Sequence, residues 1–382
     1  MAGSRAGVVP LVMRLALLAL ALSVASACTA ESPPQAFRLQ ILTDGLHHPW
    51  ALTFLPEGDL LVTERRGRLL RIDPASGSNR IIPGTPEVAV AGQGGLLDVA
   101  LHPEFAHNQW LYLSYARATE GGATTAVGRG RLVDGRLQGF SELFRAQPPS
   151  KASQHFGSRL LFTDDGYLFV TIGDRGDRDL AQRLDNHAGK VIRLTWEGGI
   201  PDDNPFMGFP GALPEIYSYG HRNPQGLALH PISGQIWQHE HGPRGGDEIN
   251  VLVAGGNYGW PLVTHGREYH GPRIGVEPPQ SSFISPLHHW TPSIAPSGMA
   301  FYSGDRFPGW RGDLFVGALA HRHLQRLRFR DGAVVEQEKL LVDRGWRIRD
   351  VRSGPDGHLY LLTDADRGVL ARLEPATAQS RP

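Results

Sequence analysis

The sequence predicts an all-β protein built as one six-bladed β-propeller, on three observations. One turn-and-strand phrase recurs six times along the chain. Glycine and proline, 47 and 29 of the 382 residues, are spread evenly instead of marking a few boundaries. After each turn the apolar residues alternate with the period of a strand.

The first copy, residues 51–73 (ALTFLPEGDLLVTERRGRLLRID), sets two strands about a Pro-Glu-Gly-Asp turn, the second alternating through Leu60 and Val62. The phrase returns at 98–116, and at 158–174 with Leu168 and Val170 alternating. It returns again at 226–242, at 298–329, and at 350–375, where Leu359 and Leu361 carry the alternation. Successive starts lie 47 to 72 residues apart, room for a four-stranded sheet plus variable loops. One hairpin cannot bury its own faces, whereas blades stacked radially around a channel bury them and leave only short edges. A two-sheet sandwich is the competing arrangement and gives no reason for sixfold recurrence. The strand-like segment 36–42 (AFRLQIL) is placed to close the ring against the last copy. In such a ring the connecting loops converge on the channel mouth, so residues far apart in sequence meet there.

Ahead of the ring, residues 1–27 read as an export signal. Arg5 and Arg14 precede an apolar run, 15–24, too short to span a bilayer, and Ala25-Ser26-Ala27 leads into Cys28. Cys28 is the only cysteine and stands where a bacterial lipoprotein carries its acylated residue. The expectation is an exported, periplasmic protein touching a membrane only through a lipid anchor at Cys28. Residues 28–35 are then a tether, 36–376 the propeller and 377–382 a tail; ordinary cleavage beside an incidental cysteine is the alternative. A single cysteine allows no disulfide within the chain. Thirty-eight basic against 38 acidic residues leave no electrostatic footprint for nucleic acid or an acidic membrane.

Candidate chemistry clusters between the copies. Residues 220–261 are rich in glycine yet carry Arg222, Asn223, Gln225, Asp247, Glu248 and Asn250. Glycine lets backbone carbonyls approach a ligand, and with these side chains the run suits a hard cation and an anion; a decorated surface loop would share the composition. Gly92-Gln93-Gly94-Gly95 precedes the second copy, Gln154-His155-Phe156-Gly157 precedes the third, Gly173-Asp174-Arg175-Gly176 ends the third, and Arg347-Ile348-Arg349-Asp350 precedes the sixth. The hairpin between His155 and Asp174 brings its ends together, which makes a general base oriented by a carboxylate. With 17 histidines in the chain, an ordinary polar loop histidine is the plainer alternative. Arg347 and Arg349 alternate along a strand and face the same way, so together they call for an anion, most simply carboxylates; exposed rim charges are the alternative. Cysteine zinc patterns, a CxxCH haem site and a GxGxxG opening a helix are all missing, which disfavours nicotinamide or haem chemistry.

Five motifs in order, IGDRG, GHRNPQGLA, GPRGGDEIN, GGNYGWP and RIRDV, resemble the soluble PQQ-dependent aldose sugar dehydrogenases, relatives of soluble quinoprotein glucose dehydrogenase. The likeness runs from about residue 45 to 374, and the ordered set is far more specific than any one motif. The resemblance implies pyrroloquinoline quinone (PQQ) and Ca²⁺ at the mouth of a six-bladed propeller, and oxidation of the C1 hydroxyl of aldose sugars to the lactone. It implies His155 as the general base while hydride passes to the quinone, Asp174 holding the working tautomer, and Arg222 stabilising charge on a quinone oxygen. Gln93, Asn223 and Tyr269 match cofactor contacts, and Arg347 with Arg349 matches the pair that clamps the cofactor's carboxylates. Calcium would be held by the carbonyls of Gly242, Pro243 and Tyr258 with Glu248. Electrons would leave to an external electron acceptor, since the chain holds no second redox centre, and the lack of long insertions implies a monomer. Two positions depart from the pattern. Ala320, followed by His321 and Arg322, stands where many relatives carry a cofactor-contacting lysine, and Gln154 stands where the glucose enzymes carry aspartate. A calcium-dependent lactone hydrolase and a non-catalytic binding propeller are the alternatives. The first has no use for the arginine pair, and the second none for His155, Asp174, Arg222 and Arg349 together.

Overall fold

Twenty-four strands form six four-stranded antiparallel sheets in a computed structural model that describes residues 36–376 and the isolated Gly3. The segments expected to be an export signal, an anchor at Cys28, a tether and a tail lie outside the described residues. No helix among the described residues is long and apolar enough to cross a membrane.

Five sheets take four consecutive strands each, beginning at Pro49–Phe54, Leu96–Leu101, Leu160–Phe162, Pro224–Leu229 and Pro296–Phe301. The sixth takes Ile348–Ser353, Leu359–Thr363 and Gly368–Pro375 and borrows its outer strand from the start of the chain. Phe37–Leu46 pairs antiparallel with Gly368–Pro375, from Phe37 opposite Pro375 to Leu46 opposite Gly368. The closing strand expected at 36–42 thus exists and runs four residues further, through two register shifts.

Hydrophobic cores sit between neighbouring blades, which explains the period-two pattern. Leu60, Val62 and Leu70 of the first blade pack with Leu362 and Leu370 of the sixth, while Leu61 and Leu69 pack with Leu97 and Leu113 of the second. Both faces of the strand are therefore covered, and Leu60–Glu64 is buried at every position. Hydroxyls then stitch blade to blade: Thr63 Oγ1 donates to Leu97 O at 2.5 Å, Ser114 Oγ to Ser158 O at 2.6 Å and Thr171 Oγ1 to Pro224 O at 2.8 Å.

The channel between the two mouths is filled by buried charge. Arg159 reaches Asp98 of the second blade at 3.2 Å and, across the axis, Asp350 of the sixth at 3.1 Å, with Trp50 4.3 Å from its guanidinium. Both carboxylates also accept a backbone N–H from the next blade's inner strand, Leu160 N for Asp98 at 2.8 Å and Leu52 N for Asp350 at 3.1 Å. Such pairing is what a buried ion requires. In five blades the register slips where the inner strand begins, and these bulges re-aim the entering residues toward the mouth.

Candidate active site at the channel mouth

Four blades end their second strand, or follow it by one or two residues, with an acid: Glu64, Asp174, Glu240 and Asp364. Each accepts hydrogen bonds from the loop entering its own blade. His47 N donates to Glu64 at 2.6 Å, His155 Nδ1 lies 2.6 Å from Asp174 Oδ1, His221 Nδ1 lies 2.8 Å from Glu240 Oε1, and Arg347 Nη2 donates to Asp364 Oδ2 at 2.9 Å. The repeat therefore builds one device four times, and small differences decide which copy is open for chemistry.

The blade-three copy is the open one. Asp174 is almost wholly buried and accepts three donors: His155 on Oδ1, Gly176 N on Oδ1 at 2.8 Å and Trp260 Nε1 on Oδ2 at 2.9 Å. Burial opposes its ionisation, but the hydrogen bond and charge of His155 and the Gly176 N–H outweigh that and hold it below its ordinary value. An ionised carboxylate only accepts, so Nδ1 carries the proton and Nε2 keeps a lone pair. Burial pulls His155 below its ordinary pKa; the Asp174 hydrogen bond opposes this, while the charges of Arg222 and Arg175 reinforce it. At neutral pH the pair is a neutral imidazole beside a carboxylate, the resting state of a general base. His155 is held at φ 56°, and Gln93 Oε1 accepts its backbone N–H at 2.9 Å.

The 220–261 run supplies the floor. Arg222 is buried with one side-chain bond, to His241 O at 3.2 Å, and its guanidinium lies 5.4 Å from the Trp260 ring centre. Asn223 Oδ1 accepts Gly157 N at 3.1 Å, whereas its buried Nδ2 has no partner among the described residues. A buried donor without an acceptor is costly, so this orphan fits a site whose ligand offers acceptors. Beside it a cavity of about 10 Å³ is lined by Glu240, Glu248, Gly242, Tyr258 and Arg222. Burial and the nearby Glu240 push Glu248 well above its usual value, so its charge is disfavoured there unless a cation offsets it. Room for one small species, two carboxylates and backbone carbonyls suit calcium. Pro243 is not among the lining residues, and its carbonyl accepts Arg267 N at 3.1 Å. Among the described residues no group of three or more His, Cys, Asp or Glu side chains is placed to hold a metal, so calcium here would depend on carbonyl oxygens.

Arg347 and Arg349 meet one carboxylate in this structure, that of Asp364: both Nη2 atoms reach its Oδ2, at 2.9 and 3.2 Å. Burial works against the Asp364 charge, but the two arginines and His48, 2.8 Å away, hold its pKa far below the usual carboxylate range. Arg349 also donates to Gln225 Oε1 at 3.1 Å. Tyr269 is 56% exposed on a turn, its carbonyl accepts from Arg244, and the preceding Glu268 pairs with Arg178, whose guanidinium lies 5.7 Å from the Trp260 ring centre. Ala320 is exposed next to Leu319, whose carbonyl accepts from Arg347. The sequence reading missed Trp260 as a partner of Asp174, Glu240 as a cavity wall and Asp364 as the arginines' carboxylate. Acids closing the second strand in four repeats are the signal that would have found the last two.

Hydrogen-bonded histidine, arginine and carboxylate side chains gathered from several blades of a six-bladed ring define the class: a propeller protein with a site built between blades. The chain belongs to the glucose/sorbosone dehydrogenase family, whose profile matches residues 46–372. It is 46% identical over 348 residues to the aldose sugar dehydrogenase of Escherichia coli K12, covering 90% of this chain and 94% of that protein. The crystal structure of a glucose dehydrogenase superposes with a TM-score of 0.87 at 52% identity, covering 89% of this chain and all of the other. The PQQ-bound aldose sugar dehydrogenase of Streptomyces coelicolor gives 0.72 at 28% identity, covering 90% of this chain and 100% of that one.

Proposed function

We propose that this protein is a PQQ- and calcium-dependent aldose dehydrogenase that oxidises the C1 hydroxyl of aldose sugars to the lactone. The observation that carries the reading is His155: Nδ1 is fixed on a buried carboxylate and Nε2 is left with a lone pair, at the mouth where Arg222, Asn223, Arg347 and Arg349 supply donors. His155 Nε2 takes the C1 hydroxyl proton, and Asp174 stabilises the imidazolium that forms. Bound PQQ would supply the hydride acceptor and calcium the polarisation of its quinone. Arg222 sits where it offsets negative charge, the orphaned Asn223 Nδ2 donates to an acceptor, and Arg347 and Arg349 bind carboxylates in company with Asp364. Glu248 and Glu240, which line the small cavity with Gly242 and Tyr258, would hold calcium together with the Gly242 and Tyr258 carbonyls. We place the protein as a periplasmic monomer anchored by lipid at Cys28, passing electrons to an external acceptor.

The test is reconstitution of metal-free apo-protein. Dye reduction with glucose is expected only when PQQ and Ca²⁺ are both added; turnover without PQQ, or failure to take up PQQ at all, overturns the reading.

A further inference from the structure

The turn that supplies Asp174 continues into Arg175, a buried cation with no carboxylate at ion-pair distance among the described residues. Arg175 is 3% exposed, and its guanidinium lies 3.4 Å from the centre of the Phe156 ring. Its Nη2 donates to Ala152 O at 2.5 Å, its Nη1 donates to Gln154 O, and its Nε has no partner. Burial brings its pKa down to about 10, with Asp174 acting the other way, so it remains a cation at neutral pH. Burying a guanidinium is costly unless its donors are used. Both bonds it makes fall on the segment leading into His155.

One of them has a direct geometric consequence. Gln154 O and His155 N–H belong to the same peptide unit. Arg175 holds that unit by its oxygen, and Gln93 Oε1 holds it by its N–H at 2.9 Å. With the plane gripped at both ends, His155 adopts φ 56°, a conformation that non-glycine residues rarely take. The far side is equally closed, because a Cβ built at Gly173 would lie 2.1 Å from His155 O and one at Gly176 would lie 2.7 Å from Gln154 Nε2.

The geometry points to Arg175 as a positioning residue for His155: together with Gln93 it clamps the 154–155 peptide plane and so aims Nδ1 at Asp174. Its positive charge near the ring also disfavours the imidazolium, as Arg222 does. The inference rests on the reading of His155 as the base, but its main test needs no cofactor.

In apo-protein labelled with nitrogen-15 histidine, the Nδ1–H held on Asp174 is expected as a downfield NMR signal that His155→Gln abolishes. Arg175→Met is expected to broaden or remove that signal while the protein still melts cooperatively, and Arg175→Lys, which returns a charged donor, is expected to restore it in part. In the PQQ- and calcium-loaded protein, Arg175→Met should lower kcat by roughly 10- to 100-fold with KM for the aldose nearly unchanged, the mark of a misaimed group. A folded Arg175→Met protein that keeps the wild-type signal overturns the assignment, as does a wild type that lacks it. Should Arg175→Met fail to fold, Arg175→Gln is read in the same way, and retention of its signal decides against the proposal.

Discussion

Blades three and four carry the same histidine–carboxylate pair in two different states. His155 on Asp174 keeps a lone pair free at Nε2, and its side chain is 13% exposed. His221 on Glu240 is fully buried, spends its Nε2 on Ser218 Oγ at 2.9 Å, and stacks on Tyr258 with ring centres 4.5 Å apart. Identical local chemistry thus leaves a free acceptor where one nitrogen is left over and gives a brace where neither is. The partner acids each accept three donors, but Glu240 also walls the small cavity with Glu248.

Swapping each histidine tests the contrast most strongly. His155→Gln should cut aldose-driven dye reduction by about 10²- to 10⁴-fold with little change in melting temperature. His221→Gln should instead lower stability by about 1–3 kcal/mol in a urea titration, because it strands buried polar groups. Equal stability losses for the two variants would erase the distinction. Asp174→Asn follows, with an expected loss of about 10²- to 10³-fold, since an amide no longer enforces the Nδ1–H tautomer. If the asparagine variant turns over at the wild-type rate, the tautomer argument fails.

The difference should also show in calcium and in pH. Glu248→Gln should weaken calcium binding at least about 10-fold, and chelation should lower the melting midpoint in a way that added Ca²⁺ reverses. A melting curve indifferent to chelator would remove calcium from the blade-four cavity. His155 lies below its ordinary 6.5, and a base works only when unprotonated. Turnover should therefore be flat through neutral pH and fall only on acidification below that value; a midpoint above it would mean an ordinary solvated histidine. The smallest effect is expected for Trp260→Phe. It removes one donor from Asp174 and should cost about 1 kcal/mol, a roughly 5-fold loss of activity.

What the sequence disclosed follows the range of the interactions concerned. The propeller was legible because each blade is a local hairpin repeated six times, and even the closing strand announced itself as an apolar segment ahead of the first copy. His155 and Asp174 were legible for the same reason, since one hairpin of 19 residues joins them. Trp260 reaches Asp174 across 86 residues, and His48 reaches Asp364 across 316, contacts that exist only once blades are arranged in a ring. Arg347 and Arg349 could be seen to need an anion, but not that Asp364 of their own blade already meets them. Tyr269, assigned to the cofactor by resemblance, is exposed on a turn held through Arg244.

His155 acting as the base while the cofactor stays bound is the step on which the proposed activity depends. Single-turnover mixing of the PQQ- and calcium-loaded protein with glucose, followed by quinone absorbance, examines that step without the electron acceptor. The prediction is rapid bleaching in the wild type and bleaching slower by at least about 100-fold in His155→Gln, with PQQ still bound in both. Equal rates in the two proteins would contradict it.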